Sequence, residues 1–131
     1  MRVKTVFLAA SAVFAISVPA SSETTVAGGG TLLIDGKPVK LWGVEVPLPG
    51  RICTTSTGRE WACGDRARDQ LAEVIAADAP ICESKGDNAV LCRVVGLDIG
   101  LLLVKEGLAW SRGGYDEAEM RAKEARIGLW E

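Results

Sequence analysis

Short apolar runs alternate with turn residues in the segment from Thr24 to Val46. The runs TTVA, TLLI and VKLWGV are separated by GGG and DGKP. Apolar runs of this length, bounded by glycine-containing turns, are typical of antiparallel strands, and Asp-Gly is a preferred hairpin turn. The pattern therefore predicts a strand meander with a hairpin turn at Asp35 and Gly36.

A helical period appears after a loop that runs from Pro47 to Cys63. Within the segment GDRARDQLAEVIAADAP, four apolar residues fall on one helical face: Ala67, Leu71, Val74 and Ile75. A proline disfavours helical conformation in the residue before it, so this helix is expected to end before Pro80.

The rest of the chain predicts a second hairpin and two helices. PICES and AVLCRVV flank the turn KGDN, and a turn centred on Asp87 would place Cys82 opposite Cys92. DIGLLLVKEGLAW and YDEAEMRAKEARIGLW have apolar faces at helical spacing, and Gly107 and Gly128 stand where helix C-caps are expected. The pattern gives five short strands, with one helix between the third and fourth and two at the end. This order favours a small closed barrel, because closure removes exposed sheet edges.

The first twenty residues have the pattern of a secretory signal peptide. A basic start precedes an apolar run from Val6 to Val18, and Val18-Pro19-Ala20 fits a small-residue cleavage site. This predicts a signal peptide at 1–20 and a periplasmic or secreted domain at 21–131, with no membrane span after cleavage. The apolar run is shorter than the roughly 18 to 20 residues that cross a bilayer, and an uncleaved anchor is the alternative.

The charge of the exported domain counts against one class of partner. The chain has 15 basic and 17 acidic residues, and cleavage after Ala20 removes Arg2 and Lys4, which leaves a net charge of −4. Proteins that bind nucleic acid without sequence preference usually carry a basic field. The chain also has no His, which excludes an imidazole base of the Ser-His-Asp or Cys-His kind.

The four cysteines predict disulfides, since these form in exported proteins. Nine residues separate Cys53 from Cys63, and nine separate Cys82 from Cys92. Three pairings are possible, and we favour the two between sequence neighbours. A metal site is the weaker interpretation, because the chain has neither a Cys-x-x-Cys motif nor a His.

Several segments, taken in order, resemble one known family. They are VKLWGVEVP after the first strands, CTTSTGREWACGDRARDQL, CRVVGLDIGLLLVKEGLAW and the ending EARIGLW. Together they span about Val26 to Trp130 and resemble the thermonuclease-like (staphylococcal-nuclease-like) family, especially its exported bacterial members. The resemblance implies an OB-fold, a five-stranded barrel with three α-helices, and calcium-dependent cleavage of phosphodiester bonds. Some exported relatives are linked to exopolysaccharide (succinoglycan) production.

The metal-binding positions implied by the resemblance are degenerate. The family's Asp-Gly-Asp-Thr motif supplies carboxylates to calcium, and here it reads Gly28-Gly29-Gly30-Thr31. Calcium takes about six to eight oxygen ligands, several of them anionic, whereas Gly28 and Gly30 offer only backbone carbonyls.

The catalytic motif is degenerate as well. The family's Arg-Leu-x-Gly-Ile-Asp-Ala-Pro-Glu corresponds to Lys40 through Leu48. Lys40 keeps a positive charge but lacks the planar fork that grips phosphate, and Glu45 keeps the metal-binding carboxylate with one more methylene. Leu48 replaces the catalytic Glu and neither accepts nor orients a proton. The family's Asp-x-Tyr-Gly-Arg hairpin motif is missing from SKGDNAVLC. We therefore expect no thermonuclease-type activity.

Polar residues near these positions are candidates for ligand binding. Lys40 and Glu45 form either a surviving polar pair in the former cleft or an ordinary exposed ion pair. A basic cluster around the first cysteine pair offers contacts to phosphate or acidic polysaccharide, or is a solvated surface: Arg51, Arg59, Arg66 and Arg68.

Tryptophans are the aromatic candidates, because OB-type barrels often use exposed aromatic rings for stacking. Trp61 lies within the first cysteine loop and is the one to inspect for exposure. Trp42 and Trp110 are expected in or near the core.

Two functions from different classes remain open. The favoured one is an exported, catalytically inactive thermonuclease-like domain that binds an envelope partner, whether a polysaccharide, a nucleic acid or a protein, without a cofactor. The alternative is a divergent nuclease that uses calcium and a site rebuilt from Lys40, Glu45 and nearby arginines. That nuclease would need a second carboxylate near Glu45, for which Asp65 is the candidate.

Overall fold

The computed structural model describes residues 3–15 and 23–131. Residues 3–15 have no regular secondary structure, and their side chains are exposed. The predicted cleavage site at Val18-Pro19-Ala20 lies outside the described residues. In the part of the chain that is described, none of the helices has the length and apolar character needed to cross a membrane.

Residues 23–131 form a mixed α/β domain. Its strands are β1 Thr24–Gly28, β2 Thr31–Ile34, β3 Lys37–Leu41, β4 Val44–Glu45, β5 Cys53–Thr54, β6 Glu60–Trp61, β7 Ile81–Gly86, β8 Ala89–Val94, β9 Leu97–Asp98 and β10 Trp110–Ser111. Its helices are α1 Cys63–Ala77, α2 Ile99–Lys105 and α3 Asp116–Ala125, and a 3-10 turn at Gly128–Trp130 follows them. The three predicted helices are confirmed, and the five predicted short strands correspond to β1, β2, β3, β7 and β8. Five additional two-residue strands were not predicted: β4, β5, β6, β9 and β10.

The main sheet has the strand order β1-β2-β3-β8-β7, and β9 pairs with the free part of β8. All neighbours are antiparallel except β3 and β8, which run parallel with Lys40 opposite Ala89. The connection from β3 to its parallel neighbour β8 runs through α1 and then β7. Two short ribbons, β4 with β10 and β5 with β6, lie outside this sheet.

The predicted closed barrel is not found in the described residues. Closure would need the two edge strands, β1 and β7, to pair, and they do not. Strand β7 carries exposed side chains at every position but one, so it lies at the surface rather than against β1. Helix α1 packs against β1 instead. The sheet is therefore open at both edges.

Both predicted hairpin turns are confirmed. Asp35 and Gly36 have positive φ angles of 51° and 78°, and Asp87 and Asn88 have φ angles of 50° and 59°. These angles belong to tight turns whose twist matches that of the flanking strands.

Both predicted disulfides are present, and no described cysteine is free. Cys82 and Cys92 lie directly opposite each other across the second hairpin, because the turn at Asp87 sets the register of its strands. The bond between Cys53 and Cys63 joins β5 to the start of α1. Disulfides persist in oxidising compartments, so both are consistent with an extracellular or periplasmic protein.

The core lies between the sheet and the helices. Its largest fully buried aliphatic side chains are Leu32, Leu71, Ile99, Leu103 and Val104. The predicted apolar face of α1 is confirmed, since Ala67 and Leu71 are buried and Val74 and Ile75 pack against the same core.

The ends of the last two helices differ in part from the prediction. Gly107 does terminate α2 with a φ of 67°, so the segment after it forms β10 rather than more helix. Helix α3, however, ends with Arg126 in the left-handed conformation, and Gly128 begins the 3-10 turn that contains Trp130. A Cβ atom on Gly128 would lie 2.3 Å from the carbonyl oxygen of Gly107. Gly128 is needed for this close approach of two backbone segments, and not as a helix cap.

Candidate functional site

The glycine turn between β1 and β2 is packed beneath residues 46–49, which we call the apolar loop. Gly28, Gly29 and Gly30 all have positive φ angles, at 104°, 62° and 77°. A Cβ atom on Gly28 would lie 2.3 Å from Cγ of Pro49, and one on Gly29 would lie 2.6 Å from Cδ2 of Leu48. One on Gly30 would lie 2.9 Å from Cγ2 of Val46. The space into which side chains at these three positions would extend is filled by hydrocarbon.

The apolar loop is fixed in place by the start of α1. A Cβ atom on Gly64 would lie 1.7 Å from the Leu48 carbonyl oxygen, so the loop crosses the helix at a distance that only glycine permits. The Gly50 N–H donates to Oδ1 of Asp65 at 2.9 Å, and the Gly64 N–H donates to the Arg51 carbonyl at 3.2 Å. These contacts and the nearby Cys53–Cys63 bond make the loop part of the rigid fold.

Next to this loop, the β4–β10 ribbon presents charged and aromatic side chains. Trp110 lies directly opposite Glu45, and Ser111 lies opposite Val44. Side chains alternate between the two faces of a strand. Because Ser111 is buried, Trp110, Arg112 and Glu45 lie on the outer face.

Two contacts organise this outer face. Glu45 forms an exposed ion pair with Arg112 through Oε2 and the Arg112 guanidinium. The Arg51 guanidinium lies over the Trp110 ring, 4.9 Å from its centroid. We call these four residues, Glu45, Arg51, Trp110 and Arg112, the ribbon cluster.

A hydrogen-bond network on the inner face holds the ribbon in position. The Ser111 hydroxyl donates to Oδ1 of Asp116 at 2.6 Å and accepts the Tyr115 N–H at 3.0 Å. The Tyr115 hydroxyl donates to Oδ2 of Asp98 at 2.9 Å, and Asp98 also caps α2 by accepting the Leu101 N–H. Burial and the Asp98 carboxylate raise the pKa of Tyr115 above its usual value, so the phenol stays protonated. This network fixes the direction in which Trp110 and Arg112 project.

Lys40 and Leu48 lie apart from the ion pair of the ribbon cluster. Lys40 lies on β3 between Thr31 and Ala89 and forms no ion pair with Glu45. The predicted pairing of Lys40 with Glu45 is therefore wrong, because strand pairing with β10 brings Arg112 to Glu45 instead. The Leu48 side chain is 69% exposed, and its Cδ2 atom packs against Gly29.

The basic cluster predicted from the sequence does not exist as one patch. Arg51 stacks on Trp110, and Arg59 forms an ion pair with Glu131. Arg68 pairs with both Asp65 and Asp69, its neighbours on α1. These arginines are near in sequence, but the disulfide loop and the helix direct Arg59 and Arg68 to different acidic partners and Arg51 to an aromatic ring.

Arg59 and Trp61 border a separate small cavity of about 180 Å³ with Arg66, Glu106 and the C-terminal turn. Trp61 is half-buried and packs against the core, so it does not form an open stacking platform. Burial raises the pKa of the Glu106 carboxyl, while Arg66 lowers it and Glu73 raises it. Burial thus makes the charged form of Glu106 less stable, and the nearby Arg66 offsets part of this effect.

Trp42 and Trp110 are both half-buried. Trp42 packs against the core as predicted, whereas Trp110 lies on the outer face of the ribbon. The Trp42 ring meets Tyr115 edge to face with the ring centroids 5.9 Å apart, and Nζ of Lys85 lies 5.1 Å from the centroid of the Trp42 ring. A larger cavity of about 620 Å³ lies between α2 and α3 and is lined by Leu101, Tyr115, Ala118 and Ala122 among others.

The residues of the site do not fit calcium. Among residues 3–15 and 23–131, no three acidic or cysteine side chains are placed to hold a metal ion. The Asp65 carboxylate accepts from Gly50 and Arg68, and Glu45 is engaged by Arg112. Calcium needs several free oxygen ligands around one point, and the carboxylates of Asp65 and Glu45 are both engaged by arginines.

Comparison with known proteins identifies no family for this chain. No protein-family model matches the sequence, and no curated protein matches it significantly.

Sequence reasoning found Glu45 and Arg51 but missed their partners. Arg112 is 67 positions from Glu45, and Trp110 was assigned to the end of the helical segment DIGLLLVKEGLAW. Gly107 could have predicted this ribbon, since a helix that ends at Gly107 leaves Trp110-Ser111-Arg112 free to form a strand with alternating side chains.

Proposed function

We propose that this chain is an exported thermonuclease-like domain of OB type that has no nuclease activity and binds a ligand in the cell envelope. The strand meander, the parallel return to β8 through α1 and the two C-terminal helices support the fold assignment. The sheet is open at β1 and β7, and the assignment therefore describes an opened relative of the barrel.

One observation carries the loss of catalysis. Val46, Leu48 and Pro49 occupy the space above the glycine turn where metal-binding side chains would stand. Restoring a carboxylate there would need the loop to move, and the loop is fixed by Gly64 and Asp65. Phosphodiester cleavage depends on charge stabilisation at the phosphorus, and removal of one such group typically costs about 10² to 10³ in rate. An apolar lid over the metal position therefore argues for a protein that binds rather than cleaves.

The ribbon cluster is the surface best suited to binding. It combines two guanidinium groups, a carboxylate and an indole on a rigid ribbon beside the apolar loop. Arginine and tryptophan are enriched in binding hot spots, because each offers both packing area and directed hydrogen bonds. Arg112 already pairs with a carboxylate, that of Glu45, and we therefore favour an acidic envelope polysaccharide over a nucleic acid as the ligand.

Hydrolysis of single-stranded and duplex DNA by the exported protein tests this proposal. The reactions contain calcium or a chelator, and Glu45→Gln is assayed beside the unchanged protein. We expect no cleavage at high protein concentration in either case. Calcium-dependent cleavage that disappears in Glu45→Gln would instead establish a rebuilt nuclease site and overturn the proposal.

A further inference from the structure

In the ion pair between Glu45 and Arg112, the Glu45 carboxylate occupies the position that a carboxylate of a bound ligand would take on Arg112. A carboxylate oxygen of Glu45 contacts the Arg112 guanidinium at the surface, with both side chains more than half exposed. Arginine and carboxylate are complementary in shape, and the pair shows that Arg112 has room for a carboxylate on its outer side.

Arg51, the second guanidinium of the ribbon cluster, has no acidic partner within 4 Å among the described residues. The Trp110 ring beneath it fixes its position, since a guanidinium packs favourably on an aromatic face. Arg51 is therefore preorganised and has its hydrogen-bonding edges available to solvent.

Apolar side chains border the two guanidinium groups. Leu48 is 69% exposed and Ile52 is 54% exposed, and they flank Arg51 on the same loop. The Arg51 N–H donates to the Leu48 carbonyl at 3.0 Å, which keeps this loop tight. Exposed aliphatic side chains beside arginines suit a ligand with carboxylates attached to rings that have apolar faces.

We propose that the ribbon cluster binds the carboxylates of an acidic polysaccharide and that Glu45 is an internal competitor that occupies Arg112 until the ligand displaces it. This inference rests on the proposed binding function and adds the ligand chemistry and the role of Glu45. A polymer of uronic acid type has one carboxylate per sugar, so neighbouring carboxylates can reach Arg51 and Arg112 in turn. Nucleic acid is less favoured, because the group that pairs with Arg112 in this structure is a carboxylate.

Replacement of Glu45 by glutamine separates this proposal from all others for the same residue. Glu45→Gln removes the competing charge and frees Arg112, so the affinity for a carboxylated polymer should rise. Exposed ion pairs contribute at most about 1 kcal/mol, which corresponds to an increase of about two- to five-fold. If Glu45 contacted the ligand or a metal directly, the same change would weaken binding.

The chain offers a matched control for this substitution. Glu117 and Arg121 form an ion pair on α3 that is more exposed than the pair of Glu45 and Arg112. Glu117→Gln changes the net charge by the same amount and also frees an arginine, but away from the ribbon cluster.

The experiment measures binding of polygalacturonate to the exported protein by isothermal titration calorimetry at low and at high salt. We expect binding that is screened by salt, is strengthened by Glu45→Gln, is unchanged in Glu117→Gln and falls about ten-fold in Arg51→Gln. Neutral dextran should not bind. Single-stranded DNA of equal charge should bind more weakly.

Each outcome has a distinct meaning. Binding that depends on Arg51 but weakens in Glu45→Gln would overturn the competitor role and leave the binding function standing. Preference for DNA over polygalacturonate would overturn the ligand class. Absence of binding to both polymers in all variants would overturn the inference and count against the proposed function, which the hydrolysis assay tests separately.

Discussion

Gly28 and Pro49 meet so closely that only a glycine fits: a Cβ atom on Gly28 would lie 2.3 Å from Cγ and 2.7 Å from Cδ of the Pro49 ring, which cannot rotate away. The contact joins the turn between β1 and β2 to the loop after β4. Carboxylate side chains placed at this turn would therefore conflict with the present packing as well as with the backbone.

An acidic residue at this turn should destabilise the protein. Gly28→Asp combines a positive φ of 104° with a clash against the Pro49 ring, and we expect a loss of about 2 to 4 kcal/mol in the free energy of unfolding. Urea denaturation measures this loss. Gly36→Asp is the control, since Gly36 has a φ of 78° and open space around its Cβ position, and we expect it to lose at most about 1 kcal/mol. Equal losses in both variants would contradict the packing of Pro49 on the turn.

Tyr115 should titrate at unusually high pH. Burial and the bond to Asp98 raise its pKa above the usual value of 10.0. The chain has one Tyr, so the absorbance change of tyrosinate near the ultraviolet edge reports this residue alone. We expect no tyrosinate in the folded protein at pH 10, and a midpoint at the usual value would contradict the Tyr115–Asp98 bond.

The same pKa shift predicts a loss of stability in alkali. Above pH 10 the unfolded chain releases the phenolic proton while the folded protein retains it, so the free energy of unfolding should fall as pH rises. The contribution is fully present below pH 10. Tyr115→Phe should reduce the slope between pH 10 and pH 11 in urea denaturation, and an unchanged slope would assign the loss to other groups.

The contact between Gly107 and Gly128 should be essential for the C-terminal turn. Gly128→Ala places a methyl group 2.3 Å from the Gly107 carbonyl oxygen at a φ of 59°, and we expect a loss of about 2 to 4 kcal/mol. The hydrogen bond from the Leu129 N–H to the Gly107 carbonyl, at 2.8 Å, should be lost with it. Gly58→Ala, at a φ of 88° with no atom within 4 Å, controls for backbone strain alone. The measurement is thermal unfolding of both variants, and similar melting temperatures would contradict this account.

The disulfide between Cys82 and Cys92 should stabilise the second hairpin. Replacing both cysteines by alanine should cost about 3 kcal/mol in the chain-entropy model, measured by urea denaturation. Alkylation of the unfolded, unreduced protein, followed by peptide mapping, should label no cysteine. Labelling of any one of the four would contradict the pairing.

Local signals made part of this fold predictable. Asp35-Gly36 and Asp87-Asn88 specify their turns through residues that tolerate positive φ, and the second turn sets the register that brings Cys82 to Cys92. The face of α1 followed from apolar spacing alone. These elements depend on neighbours within a few positions, so the sequence pattern contains their cause.

Contacts between segments that are distant in the sequence could not be predicted from such local patterns. Glu45 meets Arg112 across 67 positions and Arg59 meets Glu131 across 72, and no periodicity connects them. The closed barrel was expected from the number of strands, but the exposed character of β7 keeps it away from β1. For the candidate site, degenerate positions were an expectation from the resemblance, whereas the packing of Val46, Leu48 and Pro49 over the glycine turn required the structure.

Calcium binding is the measurement that tests the central claim most directly, because the claim is that an apolar loop stands where a metal site would be. The melting temperature of the exported protein is recorded with millimolar calcium, with magnesium at matched ionic strength and with chelator. A ligand that binds the folded state raises this temperature. We predict identical melting temperatures in all three conditions, for the unchanged protein and for Glu45→Gln. A rise with calcium that is absent in Glu45→Gln would show a functional metal site and would contradict the account.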